Sequence, residues 1–374
     1  MTKDLFKNYI YPIAIFSGGM VGVGFLSLPY VALKAGIWIM LGYFIILTAL
    51  IVVINSIFCQ LSLKTPDFKR FPGFVGYYLG KWPQFLAMFS VILGTIGVLL
   101  VYLLIGSQFL SSVFQPFFSG DNLVYVFVYF LIVSAIIYFD IKVISKVELW
   151  VIVLLFLSLI FIFVESFSQI KLSNIFISNP EFKISNLFLP YGPLLFALWG
   201  TGLIPEIEEM IGGKKKNLKK IVIISTIIIS VFYFLFTLII LGITGSRTDQ
   251  TALTGLSNFL GDGVVLLSLL GGALATITAF VTQGIIFKKT LMFDLKIKHW
   301  QAFVMTCFTP LVLFLLGFNS FVSVLSLTGG VLLGINGILI LLMYKKIGGK
   351  NIIIYPLAIF LLAGVICEIV YSIK

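Results

Sequence analysis

Eleven runs of about 20 mostly apolar residues, each bounded by charged residues or by Pro and Gly, constrain this chain more than any other feature. They are Ile10–Leu33, Ile37–Leu63, Gln84–Gln115, Leu123–Phe139, Glu148–Ser166, Leu187–Gly212, Ile221–Ile243, Val264–Phe287, Trp300–Gly317, Phe321–Tyr344 and Ile352–Tyr371. Wound as a helix, a run of that length matches the hydrocarbon thickness of a bilayer. The chain therefore reads as an all-α polytopic membrane protein. With 60% hydrophobic and 10% charged residues, it has too little polar surface to clothe a soluble globule of 374 residues. The first run is too long for a cleaved signal peptide and holds Pro29, so it is expected to stay as a span. No loop has a core-forming pattern, and a single membrane domain over 1–374 is expected.

A net charge of +11 raises the question of a nucleic-acid partner. The placement of the cations answers it. Twenty of the 25 Lys and Arg residues fall on one side when loops are assigned alternately, against five on the other. This is the positive-inside bias. It predicts a cytoplasmic N-terminus, an extracytoplasmic C-terminus and the lipid bilayer rather than a nucleic acid as the surrounding partner. Trp38, Trp82, Trp150 and Trp300 open spans, where interfacial anchoring accounts for them. Cys59, Cys307 and Cys367 are scattered without CxxC spacing and read as buried thiols, with no metal site expected.

The first span is interrupted by "SGGMVGVGFLSLPY", with Gly22, Gly24 and Pro29 near its middle. Lipid cannot satisfy backbone groups freed by a broken helix, so such a stretch must be buried in protein or line a wet cavity. Gly18 and Gly22 are also spaced for close helix packing, which is the simpler alternative. Span six repeats the pattern: "LFALWGTGLIPEIEEM" sets Gly200, Gly202 and Pro205 in the same order. Spans one and six are five helices apart, so the two halves enter the membrane from opposite sides. The expected inverted repeats are 9–166 and 187–344, followed by an extra helix at 352–371. Paired interrupted helices in two inverted halves mark a secondary transporter with its substrate held at the breaks.

At this point "GGMVGVGFLSLPYVALKAG", "FALWGTGLIPEIEEMIGGKKKNLKKIVIISTIIISVFYFLF" and "LATITAFVTQGIIFKKTLMFDL" resemble helices one, six to seven and eight of the amino acid/auxin permease family. That family lies within the amino acid, polyamine and organocation transporter superfamily. The resemblance implies a leucine-transporter-type 5+5 inverted repeat with helices one and six broken, and amino acids as the commonest substrates. In many such proteins a Glu stands where this chain has Trp199.

A zwitterionic amino acid needs donors for its carboxylate and acceptors for its ammonium, and a broken helix offers both. The N–H groups around Gly22, Gly24 and Phe25 open a half-helix whose dipole favours a carboxylate. Carbonyls near Met20 and at Ala197, Leu198 and Trp199 would accept from the ammonium, with Gly200 and Thr201 completing the second break. Phe196, Trp199 and Tyr102 are candidate walls, although each could simply pack. Together they predict a pocket for neutral apolar or aromatic amino acids.

No cofactor is expected; the driving force is a proton or a sodium gradient. Glu206, one turn past the second break, is the candidate proton-sensitive group, and pairing of Glu206, Glu208 and Glu209 with the Lys214–Lys220 run is the alternative. The resemblance implies a sodium site at the carbonyls of Gly18 and Val21 with Ala275 and Thr278. Ala279 stands where relatives often carry a second hydroxyl, leaving that site one oxygen short. A membrane-embedded lysine in span five, which replaces sodium in some relatives, is absent, since Lys142 and Lys146 lie at the span's edge.

An intramembrane enzyme would need a nucleophile and base or metal ligands at depth. The one histidine, His299, sits at a span boundary, and no HExxH or GxSxG occurs, so no enzymatic activity is expected. A channel would show a polar stripe, and "LSLTGGVLLGING" in span ten is the segment that permits one. A sodium-coupled or exchange-type carrier of another small organic solute is the remaining alternative. Sequence alone leaves the oligomeric state, the direction of transport and the particular amino acid open.

Overall fold

A computed structural model of the chain describes residues 9–66, 69–115, 117–118, 120–139, 157, 160–165, 169–176, 184–212, 217–259, 261–293 and 295–373. Span five lies outside the described residues except for residue 157 and a helical stretch at 160–165, as do Trp150, Lys142, Lys146 and Lys214–Lys216. The described residues form helices in chain order: α1 Tyr11–Met20, α2 Leu28–Ala35, α3 Ile37–Lys64, α4 Phe71–Leu79, α5 Lys81–Phe114, α6 Asn122–Tyr138, α7 Leu172–Ile175, α8 Tyr191–Leu198, α9 Ile204–Ile211, α10 Leu218–Thr244, α11 Asp262–Phe293, α12 His299–Leu315, α13 Phe321–Ser326, α14 Gly334–Lys346 and α15 Asn351–Ile373. Among the described residues six helices are long and apolar enough to cross a bilayer, and the bent pair Tyr11–Met20 and Val23–Ala35 makes a seventh span. The shorter apolar helices α6 and α12 occupy spans four and nine, and α8 with α9 occupies span six.

Two of the turns are single residues. Gly36 at φ +90° separates α2 from α3, and Gly80 at φ +92° separates α4 from α5, a left-handed backbone that costs glycine little. Helix α4 was not expected from the sequence, which reads there as a basic loop. Pro72 near its start and Gly80 at its end fix its limits, and Phe74 packs edge-on against Phe58 of α3 at 5.1 Å. Trp38, Trp82 and Trp300 are exposed at helix starts, in keeping with interfacial anchoring.

The chain divides into two compact units. The first comprises Met1–Gly94, Asn179–Phe236 and Ser326–Lys374. It holds both interrupted spans together with α3, α14 and α15. Polar side chains pin α3 to α10 inside it: Thr48 Oγ1 meets Ser230 Oγ, and Asn55 Nδ2 donates to Thr226 Oγ1 at 3.3 Å. Such pairs between helices contribute about 0.6 to 2 kcal/mol each in a membrane.

The second unit comprises Thr95–Ser178 and Thr237–Leu325. Here Gly106 of α5 lets Tyr129 of α6 lie so close that a Cβ at 106 would stand 2.0 Å from its ring. Lys288, one residue past the apolar run Val264–Phe287, is buried in α11, where Nζ donates to the Ile137 carbonyl at 3.1 Å and satisfies the end of α6. The short helix α7 is fastened by Lys171 N–H and Asn174 Nδ2 to the Gly242 carbonyl, at 3.0 and 2.9 Å.

Candidate functional site at the paired helix breaks

Both interruptions follow one order of elements, although Gly22 is extended and Gly200 (φ −122°, ψ 5°) is not. After α1, Val21 is extended (φ −74°, ψ 93°), Gly22 is extended (φ −112°, ψ −174°), a 3-10 turn runs Val23–Ser27, and Pro29 lies in the first turn of α2. After α8, Trp199 is extended (φ −75°, ψ 112°), Gly200 follows, a 3-10 turn runs Thr201–Leu203, and Pro205 starts α9. Proline in a first helical turn costs no internal hydrogen bond, so each second half-helix restarts where its sequence permits. The first span bends by 54° at its break.

The two breaks interlock within the first unit. A Cβ on Gly24 would lie 2.7 Å from the Phe196 ring and 3.6 Å from the Ala197 Cα. A Cβ on Gly200 would lie 2.9 Å from Phe16 and 3.1 Å from the Met20 sulfur. Each glycine thus admits the opposite helix. Gly18 does not play that part, since a side chain there would meet nothing within 4 Å; close helix packing is not what places a glycine at 18.

Several expected ligands prove to be engaged. The Met20 carbonyl accepts from Gly22 N–H at 2.9 Å and from Tyr233 Oη–H, also at 2.9 Å, so both lone pairs are used and it is not an open acceptor. Gly22 N–H, spent on that bond, is likewise not an open donor. The N–H groups of Val23 and Gly24, at the start of the 3-10 turn, are the ones with no earlier turn to bind. No turn or cap hydrogen bond among the described residues ends on the carbonyls of Ala197, Leu198 or Trp199. Phe25 is buried, stacked on Tyr233 at 5.2 Å and edge-on to Phe236 at 4.8 Å. Thr201 is buried, and Phe196 and Trp199 are half-buried. Tyr233 went unnoticed in the sequence because a tyrosine inside "VFYFLF" carries no local sign of its partner.

The candidate ion-coupling groups fare differently. Glu206 is exposed rather than buried beside the break. The neighbouring Glu208 accepts from Ser62 Oγ of α3, which ties the end of span six to the end of span two. The Gly18 carbonyl accepts from Val21 N–H at 3.1 Å, and Val21 itself is half-buried. Tyr102, Ala275 and Thr278 belong to the second unit. Thr278 Oγ1 donates to the Ala275 and Leu274 carbonyls at 3.0 and 3.1 Å, and Thr276 Oγ1 to Ala273 at 2.8 Å, so these hydroxyls are bonded to their own helix. Among the described residues no cluster of three His, Cys, Asp or Glu side chains could hold a metal ion.

The model of the tryptophan/tyrosine permease family matches residues 7–351, which include both breaks and all but the last helix. The chain belongs to the tryptophan/tyrosine permease family. This corrects the resemblance to the amino acid/auxin permeases: the signatures quoted for it lie within the matched range, and they are those of a different group of amino acid transporters. No curated protein sequence matches the chain significantly. Among solved structures, the permease is similar to MhsT in complex with L-phenylalanine, with a TM-score of 0.65 at 14% identity over 96% of this chain and 98% of that one. It is also similar to the Eremococcus coleocola manganese transporter in complex with an aromatic bis-isothiourea substituted compound, with a TM-score of 0.62 at 13% identity over 100% and 86%. The fold is the leucine-transporter type with helices one and six broken, and this permease is a secondary amino acid transporter of the membrane.

Proposed function

We propose that this permease carries aromatic amino acids of the tryptophan and tyrosine class by alternating access, in symport with a proton. The observation that carries the reading is the repeated break, extended residue then Gly then 3-10 turn then Pro, in both span one and span six. The substrate carboxylate would meet the N–H groups of Val23 and Gly24, and its ammonium the carbonyls of Ala197, Leu198 and Trp199. Phe196 and Trp199 offer aromatic faces to the side chain, and the two breaks present no acidic group to attract a basic one. The family's name and the phenylalanine bound to MhsT support an aromatic substrate. Membership of a permease family supports a carrier rather than an enzyme. The distribution of Lys and Arg supports a cytoplasmic N-terminus and an extracytoplasmic C-terminus.

Reconstitution into liposomes tests this. Labelled L-tryptophan should show saturable uptake and counterflow, competed by tyrosine and phenylalanine. A flux that neither saturates nor counterflows would make the protein a channel, and strict dependence on sodium at fixed pH would replace the proton as driver.

A further inference from the structure

Helix α15 follows the two repeats, and its single acid, Glu368, is only 4% exposed. Its carboxylate reaches across to the first turn of α8, where Oε1 accepts from Gly192 N–H at 3.1 Å. The slot that receives it is built from glycine. A Cβ on Gly192 would stand 2.7 Å from Oε1, and one on Gly330 would stand 2.3 Å from the Glu368 Cγ. A Cβ on Gly329 would in turn stand 2.1 Å from the Gly192 carbonyl. Gly329 and Gly330 lie in the π-helical turn Leu327–Leu333 that joins α13 to α14, a distortion often found at functional positions. Beside the slot, Ser326 Oγ is buried without a hydrogen-bond partner, and its residue's Cα and carbonyl line the approach to Gly192.

Among the described residues, the titratable groups that face Glu368 are Tyr191 of α8 and Tyr43 of α3, with Cys367 adjacent on its own helix. None of these can carry a positive charge. The ionised carboxylate is therefore held by one backbone N–H and by the positive end of α8, and both attractions depend on its charge. Protonation removes that charge and leaves a weaker neutral contact. Helix α8 is the half of span six that ends at Trp199, so the strength of this tie bears directly on one break.

We propose that Glu368 is a proton-binding residue, and that loading and releasing its proton loosens and restores the grip of α15 on the first half of span six during transport. It is a positioning residue, acting on the substrate site through α8. The inference rests on the carrier reading given above and assigns to it the site of the coupling ion, in place of the exposed Glu206.

The test uses the full-length protein in liposomes without sodium, comparing wild type with Glu368→Gln. Two measurements are made on each: L-tryptophan counterflow, which needs no ion gradient, and net uptake with and without an inward proton gradient. Wild type should show both counterflow and gradient-stimulated uptake, and Glu368→Gln should keep counterflow while losing the stimulation. Full stimulation in Glu368→Gln, or none in wild type that counterflows, would overturn the proposal. Lack of counterflow in wild type would instead remove the carrier reading. Should Glu368→Gln fail to fold, Glu368→Asp retains an acid with a shorter reach and must shift the pH profile of stimulated uptake; an unshifted profile would also overturn the proposal.

Discussion

Tyr233 of α10 donates its hydroxyl to the carbonyl of Met20 at the very residue where α1 ends, and its ring stacks on Phe25 just beyond the break. One side chain thus closes the last turn of one half-helix and supports the first turn of the next. Tyr233→Phe keeps the stacking and deletes the bond. It should lower the stability of the detergent-purified protein by about 0.6 to 2 kcal/mol, read as a drop in thermal midpoint that Tyr233→Leu exceeds. Equal midpoints for wild type and Tyr233→Phe would show that the bond contributes nothing.

At Gly24 the nearest obstacle is the Phe196 ring, so Gly24→Ala forces an overlap that typically costs about 1 to 3 kcal/mol in a packed core. Transport should fall with it, and Gly24→Val should be worse in both respects. The pair is coupled: Phe196→Ala opens the space, and the double variant should recover part of the stability lost by Gly24→Ala alone. Strict additivity of the two losses in thermal denaturation would count against the interlocked breaks. Gly18→Ala, with nothing within reach of the new methyl, is expected to fold and transport as wild type.

For substrate choice the expectation is tryptophan, tyrosine and phenylalanine over leucine, with lysine and arginine poorest, measured as competition against labelled L-tryptophan. Trp199→Glu, which sets an acid at the second break, should move the preference toward basic substrates. A carrier that already favours lysine would contradict the assignment of Phe196 and Trp199 as the walls.

Glu206→Gln should leave the pH dependence of uptake unchanged, because an exposed carboxylate is solvated by water in either state. The measurement is uptake over a pH series in parallel with wild type. A flattened profile would return Glu206 to the coupling mechanism.

How much of this was legible in the sequence depends on what kind of physics each feature obeys. The breaks at Gly22 and Trp199 could be read because a glycine and proline cluster inside an apolar run has few physical explanations in a solvent that cannot repair broken backbone. The inverted repeat followed from counting. The state of the Met20 carbonyl could not be read, because its second donor, Tyr233, lies 213 residues away in the chain. Glu368 was missed for a related reason: an acid near the end of the last apolar run looks like an interfacial charge until the glycines of two other helices are seen to make room for it. Helix α4 was hidden because the nine residues Phe71–Leu79 are too few to show a period against a basic background.

The π-helical turn at Leu327–Leu333 has a bearing on how span ten tolerates length changes. A π turn holds more residues per turn than its α-helical neighbours, so it stores slack in the thread of the helix. Each residue of an α-helix advances the screw by about 100°. Taking up one residue of that slack would turn α14 about its own axis without breaking it. A single-residue deletion, ruinous elsewhere in a span, would here be absorbed as rewinding of the turn that lies against Gly192 and Glu368.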